Sequence, residues 1–367
     1  MNKQLPAALI CLWGIMQFCL YYTNGVKVVF DSERYLAEAQ RLAQSGFSDI
    51  RLSYISYSLL LRVMLALTGT LKSIVALQVF FGGVATAAFF RLTMLVYQNQ
   101  LISFVATALL ILWPDFQHWH FYIHTESLFS SFTIIVFLRV VTARAWRHYL
   151  QLLLLLAFLV FLRANGFMVG LSVLSYYVVS YSIRKKYKPV WVGVVLMLVL
   201  IPLLVLAAHA FLGDMAGIHS FTGHLMSGTV LQGYNELVVA GAEEISLSGT
   251  PVQQILQLLI QEPVFFLKQS LLRVLWYWGQ VRPYFSSIHN WLIVFYMYPL
   301  YFFMLRSIRQ GNTPRPLLIS LLTLFVLFTA MIVVSGVDWD NRFMMPLLPW
   351  VIMLGASGGQ VYQKNRG

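Results

Sequence analysis

The sequence predicts an all-α polytopic membrane protein of about ten transmembrane helices, and three observations carry that expectation. Of 367 residues, 59% are hydrophobic and only 10% are charged, with a mean hydropathy of +0.74, a combination that excludes an ordinary soluble core. Apolar runs of about 20 residues recur along the whole chain, each long enough to cross a ~30 Å hydrocarbon layer. Period-two alternation is absent, so helices rather than barrel strands must satisfy the backbone in lipid.

The first segment, 5 to 23, lacks an Ala-x-Ala-like cleavage site after it and reads as a retained span rather than a signal peptide. A polar stretch, Phe30-Asp31-Ser32-Glu33-Arg34-Tyr35, follows at once and opens with a carboxylate where the span ends. Beyond it, Tyr35, Leu36, Ala39 and Leu42 recur at helical spacing, as in a helix lying on a bilayer surface. A solvated loop with an amphipathic anchor explains the same stretch. Residues 54 to 69 form a short apolar helix carrying Arg62 at mid-length, better suited to the interface than to a span.

The remaining spans fall at 72 to 97, 101 to 120, 127 to 143, 149 to 164, 166 to 183, 190 to 211, 289 to 305, 316 to 335 and 345 to 362, with both termini cytoplasmic. Arg139, Arg144 and Arg147, then Arg184 to Lys188, then Arg306, Arg309 and Arg315, then Lys364 and Arg366 all fall inside. The tight turn at Asn99 is the exception, with Arg91 nearby. The net charge of +12 therefore reports cytoplasmic loops against anionic lipid, and no nucleic-acid partner is expected. The carboxylates fall on the outer side, apart from Asp115 within a helix. The chain divides into a transmembrane module at 1–211 with its first outer loop at 24–71, an extracytoplasmic loop at 212–288, and C-terminal helices at 289–367.

Within the large loop a glycine-rich tract leads to Thr250-Pro251, a cap with proline at the first helical position, and Pro263 stops that helix. A second amphipathic helix, 264 to 277, is expected to carry Lys268 and Arg273 on its polar side and to end in Trp276-Tyr277-Trp278 at headgroup level. Cys11 and Cys19 lie eight residues apart on one helix, about 12 Å, too far to bridge.

Candidate chemistry gathers at the outer ends of the helices. Glu126, in Thr125-Glu126-Ser127, either caps the next span or serves a reaction. His120 and His124 have the i, i+4 spacing of metal ligands, but an aromatic setting favours a hydrogen-bonded pair, and no metal site is assigned. Arg163, in Arg163-Ala164-Asn165-Gly166, either snorkels or reads a phosphate, and Arg282 beside Tyr284 poses the same choice. Arg342 lies near Asp338 and Asp340, paired with them or functional. Together these groups match a reaction in which a carboxylate takes a hydroxyl proton while guanidinium groups hold a departing lipid phosphate.

The order of these motifs resembles the GT-C superfamily of integral-membrane glycosyltransferases, whose members include protein mannosyltransferases, aminoarabinose transferases and the family 39-like enzymes of the cell envelope. The resemblance rests on the first-loop motif at Asp31, the Tyr/Ser-rich helix from Tyr54, Tyr122 to Phe129, Arg163-Ala164-Asn165-Gly166 and Asn341-Arg342-Phe343-Met344-Met345-Pro346. It implies an inverting transfer of a hexose or pentose from a polyprenyl-phosphate donor to a glycan, lipid or protein acceptor, at the outer face of the plasma (inner) membrane. By that resemblance Asp31 is the catalytic base and Glu126 assists. Arg163 and Arg342, with Arg282, would bind the donor phosphate. Glu33, Tyr35, His124, Tyr284 and Asp340 are the expected substrate contacts. No cofactor is assigned, and the need for a divalent cation is left open. In departure from the resemblance, the short chain is expected to lack the large C-terminal periplasmic domain that many members carry, and Ser32 stands beside Asp31 where other members carry a second acid. The alternatives are a transporter or lipid flippase, or a glycan polymerase or ligase using diphosphate-linked donors.

Overall fold

A computed structural model describes residues 4–29, 31–46, 52–212, 221–240, 247–338 and 340–359. Phe30, Trp339, the loop glycines Gly213, Gly217 and Gly241, and the basic residues Lys364 and Arg366 lie outside them, as does the His209 side chain. Among the described residues the regular structure is helical, with isolated bridges at Lys27–Tyr122, Thr229–Val238 and Leu231–Val337.

In chain order the helices are α1 (Gln4–Asn24), α2 (Asp31–Ser45), α3 (Ile55–Thr68), α4 (Leu71–Tyr97), α5 (Gln100–Leu112), α6 (Pro114–Gln117), α7 (Glu126–Thr142), α8 (Trp146–Leu162), α9 (Gly166–Arg184), α10 (Pro189–Leu212), α11 (Phe221–Met226), α12 (Pro251–Gln261), α13 (Pro263–Gly279), α14 (Ser287–Gln310), α15 (Arg315–Ser335) and α16 (Leu348–Gly358). Each expected span contains a helix, the last of them, 345 to 362, running past the described residues. Among the described residues five helices, α1, α4, α9, α14 and α15, are long and apolar enough to cross a membrane, and the bent α5–α6 segment would make a sixth. The expected continuous span 101 to 120 is broken. Its axis bends by 69° after Leu112, where Pro114 denies the chain a helical donor and forces Trp113 into an extended conformation. The α7, α8 and α16 segments are 17, 17 and 11 residues long, short of the usual span length.

The chain forms two units, the first comprising Met1–Val173, Pro299–Arg315 and Met345–Gly367 and the second Leu174–Tyr298 and Pro316–Met344. In the first, α4 packs on α5 and α7, α2 on α3, and α8 on α3 and α7. Trp350 of α16 is fully buried between Phe89 and Phe137, with ring centroids 6.5 and 4.4 Å away. A Cβ at Gly358 would collide with the Phe303 carbonyl, so α16 approaches 299–315 closely only because that position is glycine. On α1 the large side chains Ile10, Phe18 and Tyr22 are 70%, 72% and 85% exposed, an apolar surface that water does not tolerate and lipid does.

In the second unit α12 begins with a full capping box, Thr250 and Gln253 bonding each other's backbone. Its core joins Leu225, Val230, Val239, Leu258 and Phe265. On α13 Lys268 is exposed as expected, and Arg273 departs from the sequence expectation. Val264, Leu267, Leu271 and Leu275 form the exposed stripe, whereas Arg273 is buried and donates to the carbonyls of Thr229 (3.1 and 2.8 Å) and Val333 (2.7 Å). A guanidinium fork is the group that reaches both carbonyls at once. Burial lowers the Arg273 pKa to about 10, which still leaves the group charged at neutral pH.

Candidate active site

The first-unit site is built at three helix ends. Asp31 is the first residue of α2, and with Glu33 it puts negative charge on the first turn, where the helix dipole favours it. Glu126 is likewise the first residue of α7. The connection from α7 to α8 is only residues 143–145, so the two run as a hairpin, and the start of α7 meets the end of α8. Arg163 stands at that end as the α8 C-cap, the terminus that favours a cation.

Glu126 and Arg163 form an ion pair of 3.0 Å, with side chains 2% and 6% exposed. A Cβ at Gly166 would strike the Leu159 carbonyl, so the turn that presents Arg163 requires glycine. The capping expectation at Thr125 is corrected: its hydroxyl makes no cap bond and instead contacts Glu126 Oε2 at 3.4 Å. Glu126 is thus engaged by Arg163 on one oxygen and lies 3.4 Å from His124 Nδ1 on the other. The other His124 nitrogen, Nε2, bonds the Val29 carbonyl at 2.9 Å. His120 faces elsewhere, its Nδ1 2.7 Å from the Ser127 hydroxyl, and among the described residues no group of three or more His, Cys, Asp or Glu could hold a metal ion.

Asp31 differs from Glu126 in access. Its side chain is 29% exposed and pairs at 3.4 Å with Arg34, one turn further along the same helix. Arg34 lies over the rings of Tyr35 and Tyr54, 5.1 and 4.7 Å from their centroids. Burial works against the Arg34 charge, but Tyr35, Tyr54 and Asp31 outweigh it and its pKa is raised. Tyr35 is 2% exposed. Burial first, then Tyr54 and the charges of Glu126 and Asp31, push its hydroxyl well above the ordinary range, with Arg34 pulling the other way. Tyr35 therefore lies within the field of both carboxylates. Its ring packs against those of Tyr54, Tyr57 and His124 at 5.3, 5.2 and 6.1 Å. The Tyr35–Ala39 face of α2 is accordingly covered by protein, not lipid. Glu33 is exposed.

Sequence reasoning missed Arg34 as a site residue, although its i, i+3 spacing to Asp31 was visible. It also missed Glu38, which is 4% exposed and accepts from Ser58 at 3.1 Å. The buried serine partner on α3 is the only clue, and it is not local.

The other expected residues lie in the second unit. Arg282 is 1% exposed and donates to the carbonyls of Trp276 (2.9 Å), Val281 (3.0 Å) and Asp338 (3.3 Å), closing the last turn of α13. Burial lowers its pKa, and Asp338, Tyr284 and Asp340 oppose that. Tyr284 is 42% exposed, and burial pushes its hydroxyl up to about 12 against the pull of Arg282. Asp338 is fully buried and caps the turn at Arg342, accepting from its backbone N–H at 2.6 Å. Asp340 and Arg342 are half-buried. Gln280 and Asn341 both adopt positive φ, 60° and 63°, and the Asn341 amide donates to the Gln280 carbonyl at 2.8 Å, so the two strained positions brace each other.

Two apolar grooves occur away from these residues. One of about 290 Å³ lies between α1, α4 and α5, lined by Trp13, Gly83 and Phe90 among others. The second, about 410 Å³, is lined by Tyr177, Tyr181, Tyr187 and Trp191.

No protein-family model, curated protein or solved structure matches this chain significantly.

Proposed function

We propose that the chain is an inverting glycosyltransferase that moves a sugar from a polyprenyl-phosphate carrier to an extracytoplasmic hydroxyl acceptor. The observation that carries the reading is the pairing of an accessible carboxylate with a buried one. Asp31 is 29% exposed at a helix start, while Glu126 is 2% exposed and fixed by Arg163. A general base must be reachable by its substrate, and of the two acids only Asp31 is open to one. In the proposed step the acceptor oxygen bonds to the anomeric carbon, the carbon–phosphate-oxygen bond breaks, and the acceptor proton passes to Asp31. The lipid phosphate leaves on the opposite face, so the anomeric centre inverts.

The same reading gives roles to the other first-unit groups. Arg34, 36% exposed, pairs with the proposed base at 3.4 Å and would hold it ionised and oriented. Arg163 is committed to Glu126, so both act by setting the electrostatics and shape of the site. The proposed place is the outer face of the plasma membrane, with ten crossings if α7, α8, α10, α16 and the bent α5–α6 segment each traverse it. The reading is tested by mass spectrometry of surface glycans and glycolipids from a strain lacking the gene. Loss of one sugar residue supports it and names donor and acceptor; an unchanged envelope profile contradicts it.

One observation favours a transporter instead. The broken α5–α6 segment, bent by 69°, carries Gln117, whose side chain bonds Gln17 of α1 at 2.7 Å with both residues buried, and broken helices with buried polar groups mark transport pathways. Protein-dependent movement of a polyprenyl-phosphate lipid across liposomes, unaffected by Asp31→Asn, would select that reading.

A further inference from the structure

We infer that His124 is a positioning residue for Asp31: it shares one proton with Glu126 and grips the backbone next to Asp31 with its other nitrogen. The catalytic consequence rests on the glycosyltransferase reading, whereas the proton and the grip do not.

The proton follows from hydrogen-bond chemistry. The Val29 carbonyl, 2.9 Å from His124 Nε2, can only accept, so Nε2 carries a hydrogen. Nδ1 then faces Glu126 Oε2 at 3.4 Å, with the side chains 1% and 2% exposed. A bare nitrogen opposite an ionised carboxylate would set two lone pairs against each other in a buried site. A proton placed between them, on Nδ1 or on Oε2, removes that opposition and gives Nδ1 the hydrogen-bond partner it otherwise lacks. Arg163, 3.0 Å from the other Glu126 oxygen, favours the carboxylate. The rings of Tyr35, Trp119 and Tyr122, at 6.1, 5.6 and 6.0 Å from the imidazole, provide a setting that accommodates a cation. The remaining charges nearby are Lys27, 5.1 Å from the Tyr122 ring centroid, and the Asp31–Arg34 pair.

The grip follows from where Val29 lies. Its carbonyl also accepts from the Ser32 N–H at 3.0 Å, and its own N–H donates to the buried Ser32 hydroxyl at 3.0 Å. Upstream, the Lys27 N–H bonds the Phe121 carbonyl at 2.9 Å, and the Ile123 N–H bonds the Lys27 carbonyl at 3.0 Å. The segment leading into α2 is thus stitched to 121–124. His124 makes the last stitch before Asp31, and the only one made by a side chain that also touches Glu126. Two acids far apart in sequence are coupled through one imidazole.

Nitrogen-15 NMR of histidine-labelled protein tests the proton, with the His124 signal assigned by its disappearance in His124→Gln. The expected spectrum has Nε2 protonated and Nδ1 protonated or strongly hydrogen-bonded, unchanged in Asp31→Asn; a bare Nδ1, or the tautomer with Nε2 bare, overturns the proposal. Hydrogen exchange over residues 27–35 tests the grip. At least tenfold faster exchange is expected in His124→Ala, with partial recovery in His124→Gln, whose amide still donates to Val29; unchanged exchange in both variants overturns it. In turnover of a polyprenyl-phosphate sugar, His124→Ala is expected to lower kcat at least tenfold with KM within threefold, and a rise in KM alone overturns the positioning role. If wild-type protein turns over no such donor while the NMR and exchange results stand, the glycosyltransferase reading fails and the coupling survives.

Discussion

Replacing Arg163 with methionine removes the guanidinium paired at 3.0 Å with a carboxylate that is almost completely buried. At 3.0 Å and an effective dielectric of about 20, the pair's attraction is roughly 5.5 kcal/mol. Much of that is offset by the desolvation of both ions, so the informative quantity is the cost of breaking the pair, about 3–5 kcal/mol. Methionine keeps most of the stem volume, which separates the charge effect from a cavity. At roughly 2 °C per kcal/mol for a chain of this size, Arg163→Met should lower the melting temperature of detergent-solubilised protein by roughly 6–10 °C, read by intrinsic fluorescence. The double variant Glu126→Gln with Arg163→Met should recover most of that loss, because no buried charge is left unpaired and the glutamine amide can donate to His124 Nδ1. A single variant melting within about 2 °C of wild type, or a double variant whose loss equals the sum of the two singles, would refute the reasoning.

Arg273→Met should cost about 1–3 kcal/mol by removing the donors to the part-buried carbonyls of Thr229 and Val333, and limited proteolysis within 221–240 should accelerate; an unchanged cleavage rate contradicts the clamp. The exposed apolar stripe of α13 should face lipid. In a protein with Cys11 and Cys19 replaced by serine, Leu271→Cys should react with a charged maleimide at least tenfold more slowly than Asn235→Cys at an exposed loop position, and equal rates would place the stripe in water.

The helices were legible because lipid imposes a simple rule. A run of about 20 apolar residues must be a helix, and helices appear at each expected segment. Legible, too, were the Thr250-Pro251 start and Pro263 stop of α12, where capping chemistry is local to the sequence. The bend after Leu112 had a visible cause in Pro114, but apolar length overrode it in the reading. What sequence could not supply was pairing at long range. Arg273 looks like a polar-face residue because its partners, two backbone carbonyls at positions 229 and 333, have no signature in side-chain pattern. Glu126 looks like a helix cap because nothing local shows that the α7–α8 hairpin returns Arg163 to its side. Asp31 stood out because its setting, a charge opening a polar helix after an apolar span, is a local feature; Arg34 was passed over although it shares that setting.

The central claim is that Asp31 takes the acceptor proton, and its most direct measurement compares wild-type and Asp31→Asn protein, reconstituted in nanodiscs with a panel of undecaprenyl-phosphate-linked hexoses and pentoses and a glycan or glycolipid acceptor. The account predicts sugar transfer with release of undecaprenyl phosphate by the wild type and at least a ~100-fold lower rate for Asp31→Asn, with the melting temperature unchanged because the side chain is partly exposed. Transfer by Asp31→Asn at the wild-type rate would contradict it.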